Sequence, residues 1–116
     1  MSVRVKRVYD QPAKADGYRV LVDRLWPRGL KKSEARIDEW LREIAPSTTL
    51  RKWFKHDPSR WKEFKEKYAA ELDGHREQVE TLVREARRRN VTLLFSAKET
   101  EHNNAVALKQ YVEQLM

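Results

Sequence analysis

Apolar and charged residues alternate from Val3 to Tyr9 (V-R-V-K-R-V-Y), with Val3 and Val5 set against Arg4 and Lys6. A period of two predicts a strand over about 3–9 with one face turned to a core. Asp10 to Gly17 (D-Q-P-A-K-A-D-G) replaces the alternation with turn residues and closes on a D-G pair. Tyr18 to Val22 is again β-branched and aromatic, which predicts a second strand over about 18–24. Pro27 has no N–H for a ladder and Gly29 tolerates positive φ, so this strand must stop near Leu25.

The period then lengthens. Ser33 reads as the N-cap of a helix reaching about Ala45 before Pro46, with Ile37, Trp40, Leu41 and Ile44 on one face. A short helical turn is expected around Leu50 to Phe54. Asp57-Pro58 is an N-cap followed by proline at the first helical position, opening a helix with Trp61, Phe64, Tyr68 and Leu72 along one stripe. Asp73 and Gly74 break it, and a further helix from about His75 to Arg89 buries Val79, Leu82, Val83 and Ala86. Val91 to Ala97 (V-T-L-L-F-S-A) has the continuous apolar run of a central strand covered on both faces. A last helix, about Asn103 to Leu115, buries Ala105, Leu108, Val112 and Leu115.

These elements predict a single α/β domain over 1–116, a small, mainly parallel sheet with helices packed around it. Strands 18–24 and 91–97 should be parallel neighbours, because three helices separate them. The 10–17 connection is shorter than the dozen residues a parallel crossover usually needs; on length alone the first two strands would be antiparallel. Trp40, Trp61, Phe64 and Leu108 are expected in the core. No internal repeat, low-complexity tract or linker interrupts the pattern.

Charge adds a question about partners. The chain carries 25 Lys and Arg against 18 Asp and Glu, a net +7, with a pI near 9.8. Such an excess attracts polyanions without selecting among them. The basic residues are spread along the chain and many have acidic helical neighbours, as Lys67 has Glu63. Arg87, Arg88 and Arg89 suit a helix C-terminus, where the macrodipole favours cations. No apolar run is long enough to span a bilayer, so no membrane partner is expected, and the start lacks the apolar block of a signal peptide. The absence of cysteine excludes disulfides and thiolate metal ligands and accords with a cytoplasmic protein. Scarce Asn and Gln beside abundant Lys, Arg and Glu lean towards a thermophilic source.

Candidate chemistry gathers where two strands end. Asp23, Arg24, Trp26 and Arg28 crowd the loop after the second strand, and ligands of open α/β sheets sit at strand carboxyl ends. Ser96 and Lys98 end the last strand, and His102, Asn103 and Asn104 open the last helix, whose N-terminal N–H groups suit an anion. His56 lies on the connection leaving the second strand's loop. Arg24 and Arg28 would hold an anion, with Trp26, His56, Ser96, Lys98, Asn103 and Asn104 beside it, and His102 or Asp23 would perform any proton transfer. Asn103 also serves as a helix cap and Asp57 as another. The histidines have no metal-ligand spacing, and there is no P-loop, G-x-G-x-x-G or G-x-S-x-G, so neither metal nor cofactor is expected. The leading expectation is a pocket for a small anionic, phosphate-bearing ligand, as an enzyme or otherwise. The alternatives are a non-catalytic nucleic-acid-binding protein using its basic surface, with exposed Trp26 or Trp53 stacking on bases, and an interaction domain without ligand.

The strings R-V-Y-D, D-G-Y-R-V-L-V-D-R-L-W-P-R-G, A-P-S-T-T-L-R-K-W-F-K-H-D-P-S-R-W and T-L-L-F-S-A-K-E-T-E-H-N-N-A together resemble the family called domain of unknown function 488, in its short, YeaO-like branch. The resemblance covers almost the whole chain and implies a compact α/β domain without assigning it an activity. Longer relatives place a helix between their first strand and the V-D-R strand, which implies a parallel arrangement there, against the length argument. Many also carry cysteine and C-H-R near the start of the last helix. This chain has S-A-K-E-T-E-H-N-N instead, so a thiol mechanism does not carry over.

Overall fold

The computed structural model describes residues 2–116. In chain order the elements are β1 (Val3–Arg7), β2 (Tyr18–Leu21), α1 (Lys32–Ala35), β3 (Glu39–Trp40), α2 (Thr48–Phe54), α3 (Trp61–Leu72), α4 (Arg76–Ala86), β4 (Val91–Phe95) and α5 (Asn104–Leu115), with single 3-10 turns at Lys14–Asp16, Arg42–Ile44 and Pro58–Arg60. The four strands form one sheet in the order β1-β4-β2-β3, and every pairing is parallel. β4 is central, as its apolar run requires; all five of its residues are buried. It lies beside β2 in the parallel arrangement expected for 18–24 and 91–97.

Strand alternation sorts the side chains cleanly. Val3, Val20, Val22, Val91, Leu93 and Phe95 face the main core, where α2, α3, α4 and α5 contribute Leu50, Phe54, Phe64, Tyr68, Leu72, Val79, Leu82, Ala86 and Leu108. Val8, Leu21 and Leu94 face the other side and meet Trp26, Leu30, Ile37 and Trp40 from the loop segments that cover it. One face is therefore clad in helices and the other largely in coil.

Three expectations need correction. The first two strands are not antiparallel: both run parallel to β4, which separates them. A ten-residue connection suffices because the Lys14–Asp16 turn is fastened directly to the sheet. Thr92 Oγ1 donates to the Asp16 carbonyl at 2.7 Å, and the Asp16 carboxylate is paired with Lys6 and Arg19. Secondly, the span 33–45 is not a helix. It holds the one-turn α1, capped at Lys31 rather than Ser33, the edge strand β3 and a 3-10 turn. Thirdly, β2 ends at Leu21 rather than 24, although the Val22 N–H still donates to the Leu94 carbonyl at 3.1 Å. Trp40 and Trp61 are half-buried at the edges of the two clusters, whereas Phe64 and Leu108 are fully buried.

The remaining boundaries agree to within one to three residues. Ser47 caps α2, its Oγ accepting from Leu50 N–H at 3.1 Å. Asp57 caps the turn that leads into α3, accepting from Ser59 N–H at 3.0 Å. Asn103 caps α5, accepting from Val106 N–H at 2.9 Å. No helix among the described residues is long and apolar enough to cross a membrane.

Candidate functional site

The connection leaving β2 turns to the coil-covered face, where Trp26 and Leu30 pack. The connection leaving β4 turns instead to the helical face and enters α5. Two neighbouring parallel strands that send their chains to opposite faces leave a crevice at their carboxyl ends. A cleft of about 610 Å³ opens there, and its walls include Tyr9, Asp23, Arg24, Trp26, Arg28, Arg51, Lys52, His56, Ser96 and Asn104.

Asp23 forms the floor. Its Oδ2 accepts from the Ser96 N–H and Oγ, each at 2.8 Å, and its Oδ1 accepts from Asn104 Nδ2 at 3.1 Å. The Asn104 amide also donates to the Val22 carbonyl at 3.0 Å. One carboxylate thus ties the end of β2 to the end of β4 and the first turn of α5. Trp40 holds the same residue from below, its indole N–H donating to the Asp23 carbonyl at 2.7 Å.

Arg24 reaches the opposite wall. Its Nη2 donates to the carbonyls of Ala45 at 3.1 Å and Pro46 at 3.4 Å. That wall is itself fixed. Tyr68, whose hydroxyl burial pushes far above the usual tyrosine range, donates to the Ile44 carbonyl at 2.6 Å. Glu71 accepts from the Ser47 N–H at 2.8 Å and hydroxyl at 2.6 Å. The Nε of Arg24 is buried and has no hydrogen-bond partner among the described residues. Leaving a buried donor unpaired costs about 1–3 kcal/mol, and more on a charged group.

His56 lines the cleft through an unusual backbone. Lys55 ends α2 with φ of 51° and His56 continues at 55°, two successive non-glycine residues in the left-handed region. Such conformations cost about 1–2 kcal/mol each and cluster where a side chain must be aimed. The His56 ring packs against Phe54, with centroids 5.7 Å apart, and its Nδ1 donates to the His102 carbonyl at 3.2 Å.

The ten residues expected at a site therefore divide. Asp23, Arg24, Trp26, Arg28, His56, Ser96 and Asn104 line one cleft, whereas Lys98, His102 and Asn103 do not. Asn103 is fully buried and spent as a cap, its Nδ2 donating to the Glu99 carbonyl at 2.8 Å. The His102 ring stands edge-on to Trp61 with centroids 5.2 Å apart, and its Nδ1 lies 3.5 Å from Glu99 Oε1. The His102 carbonyl accepts from His56, which does line the cleft. Trp26 is committed to its own loop, donating to the Leu30 carbonyl at 2.7 Å and standing edge-on to Trp40. Arg51, Lys52, Tyr9 and Leu25 also line the cleft. Sequence reasoning missed these four, because nothing local separates Arg51 and Lys52 from the other basic residues.

A family model described as "Inactive DUF488-N3 subclade" matches residues 2–116. The chain belongs to this family. It is 46% identical over 115 residues to the uncharacterised protein YeaO of Escherichia coli, covering 99% of this chain and all of that one. It is 39% identical over 108 residues to uncharacterised proteins of Mycobacterium bovis and Mycobacterium tuberculosis, covering 93% of this chain and 91% of each. No solved structure matches it. Among the described residues, no group of three or more His, Asp or Glu is placed to hold a metal ion.

Proposed function

We propose that the cleft binds a small phosphate-bearing anion and that the protein acts by binding rather than by turnover. The observation that carries this reading is the buried, unpartnered Nε of Arg24, in a cleft also lined by Arg28, Arg51 and Lys52. Asp23 is the one carboxylate lining it among the described residues, and both its oxygens already accept bonds from Ser96 and Asn104. The excess positive charge thus has no acidic partner within the cleft. A guanidinium nitrogen without a partner, beside these cations, suits a phosphate oxygen. Proton transfer has weaker support: Asp23 is occupied as a brace, and the His102 ring lies outside the lining. The word "inactive" in the family's description accords with binding without catalysis. A cytoplasmic location, suggested by the absence of cysteine, would supply such ligands.

Nucleic-acid binding is less favoured because its two candidate stacking platforms are engaged. Trp26 is packed against Trp40, and Trp53 carries Arg60 and Lys67, each 5.3 Å from its ring centroid.

A thermal-shift titration tests the proposal with inorganic phosphate, pyrophosphate and ribose 5-phosphate. A ligand at about ten times its Kd stabilises the fold by roughly 1.4 kcal/mol, which raises Tm by about 5–10 °C for a domain near this size. Arg24→Ala should abolish that shift, and Arg88→Ala should leave it intact, since Arg88 lies at the far end of α4 beside Glu85. A shift that survives Arg24→Ala would refute the assignment.

A further inference from the structure

We infer that the ligand is a nucleotide, its phosphate on Arg24 and its base on the lip formed by Tyr9 and Leu25; this rests on the anion-binding reading above. Leu25 is 69% exposed and Tyr9 42% exposed, and both line the cleft. The other large hydrophobic side chains left exposed among the described residues are Leu115 and Met116, the end of the chain. Two of the exposed apolar side chains thus belong to the cationic cleft.

The lip is built rather than loose. The Tyr9 hydroxyl donates to the Arg28 carbonyl at 2.9 Å, and the Arg7 guanidinium lies 5.2 Å from the Tyr9 ring centroid. Arg7 is anchored in turn, donating to the carbonyls of Ala97 at 3.1 Å and Ser96 at 3.3 Å. A ring held this way by one cation, where Trp53 carries two, keeps its other face for stacking, and its ordering cost has already been met on folding. A volume near 610 Å³ is also that of a pocket for a drug-sized molecule, several times what one phosphate fills. Asn104 lines the same cleft, and its hydrogen bonds both run from Nδ2 and leave its amide oxygen for an N–H on the edge of a base. One cleft thus brings together cations, a fixed aromatic ring, an exposed aliphatic side chain and an amide acceptor, the groups that match a phosphate, a planar ring and that ring's polar edge.

Isothermal titration of the full chain with ribose 5-phosphate and with the four ribonucleoside 5′-monophosphates tests this. At least one nucleotide should bind about tenfold or more tightly than ribose 5-phosphate, the scale of one base stacked on an aromatic side chain. Leu25→Ser and Tyr9→Ser should each remove most of that gain, and Leu25→Ser should leave ribose 5-phosphate affinity within about twofold of its starting value. The exposure of Leu25 keeps the first variant free of a folding penalty. Equal affinity for nucleotides and ribose 5-phosphate would overturn the nucleotide assignment while leaving the anion site standing. A nucleotide preference unmoved in both variants would place the base elsewhere and also overturn it. If none of the five binds, both readings fall.

Discussion

Gly17 and Gly29 show how differently one conformation can be used. Both have positive φ, 65° and 77°, where a side chain costs about 1–2 kcal/mol. A Cβ on Gly29 would meet nothing within 4 Å, whereas on Gly17 it would lie 2.3 Å from the Asn90 carbonyl oxygen. That oxygen cannot retreat freely, because it accepts the Tyr18 N–H at 2.9 Å where β2 begins beside β4. Gly29→Ala should therefore cost about 1 kcal/mol, and Gly17→Ala considerably more, with a fall in Tm of about 10 °C or more. Equal melting temperatures for the two variants would show that the close approach at Gly17 has no energetic weight. The need for glycine near residue 29 was legible beforehand, from Pro27 and the end of an apolar run. The crowding at Gly17 was not, because Asn90 is remote in sequence.

At the scale of elements, local pattern failed where the chain crosses an edge of the sheet. Ile37, Trp40, Leu41 and Ile44 have helical spacing, yet Ile37 and Trp40 pack on the coil-covered face while Leu41 and Ile44 enter the helical core. A stripe that would share one helix face is divided between two sides of β3, and period alone cannot show which partner each residue finds. Long segments with one partner surface, α3, α4 and α5, were legible for the opposite reason, and β4 by a continuous apolar run that both faces bury. The first crossover failed on length because its support is ionic. Asp16 and Arg19 are both buried. Arg19 further donates from Nε to the Arg36 carbonyl at 3.0 Å and from Nη2 to the Ala35 carbonyl at 2.9 Å. Burial on its own would raise the Asp16 carboxyl, but the Ala13 N–H, Lys6 and Arg19 together hold it below the ordinary value. A carboxyl depressed on folding stabilises fully above about pH 4 and loses that contribution as pH falls through its folded value. Melting temperature should drop on acidification below about pH 4. Asp16→Asn should flatten the Asp16 part of that drop and cost about 3–5 kcal/mol at neutral pH, the penalty of leaving Arg19 buried without its anion. An Asp16→Asn protein as stable as the parent at neutral pH would remove this ion pair from the list of what holds the crossover.

Over the whole molecule, a net charge of +7 makes some affinity for polyanions inevitable, so the cleft must be told apart from the surface by how each responds to salt. Much of the surface charge is internally matched: Arg89 lies 2.9 Å from Glu85, and Lys67 and Lys109 face Glu63 and Glu113 one helical turn away. The cleft cations Arg28, Arg51 and Lys52 have no such ion-pair partner among the described residues, and Arg24 bonds only to carbonyls. An oligonucleotide held by the surface releases condensed counterions, and its log affinity falls with log salt at about 0.7 per phosphate neutralised on a single strand. Six such contacts between 50 and 200 mM salt would lose roughly 300-fold. A mononucleotide in a partly enclosed cleft releases no polymer counterions and suffers mainly screening, over a Debye length of about 7–14 Å in that range. Its affinity should fall by about tenfold or less over the same interval. Arg24→Ala should abolish mononucleotide binding while altering the oligonucleotide slope by at most about one contact. Were the two ligands to lose affinity in parallel with salt, and Arg24→Ala to weaken both alike, the cleft would be one more patch of a basic surface, and the case for a dedicated anion site would be lost.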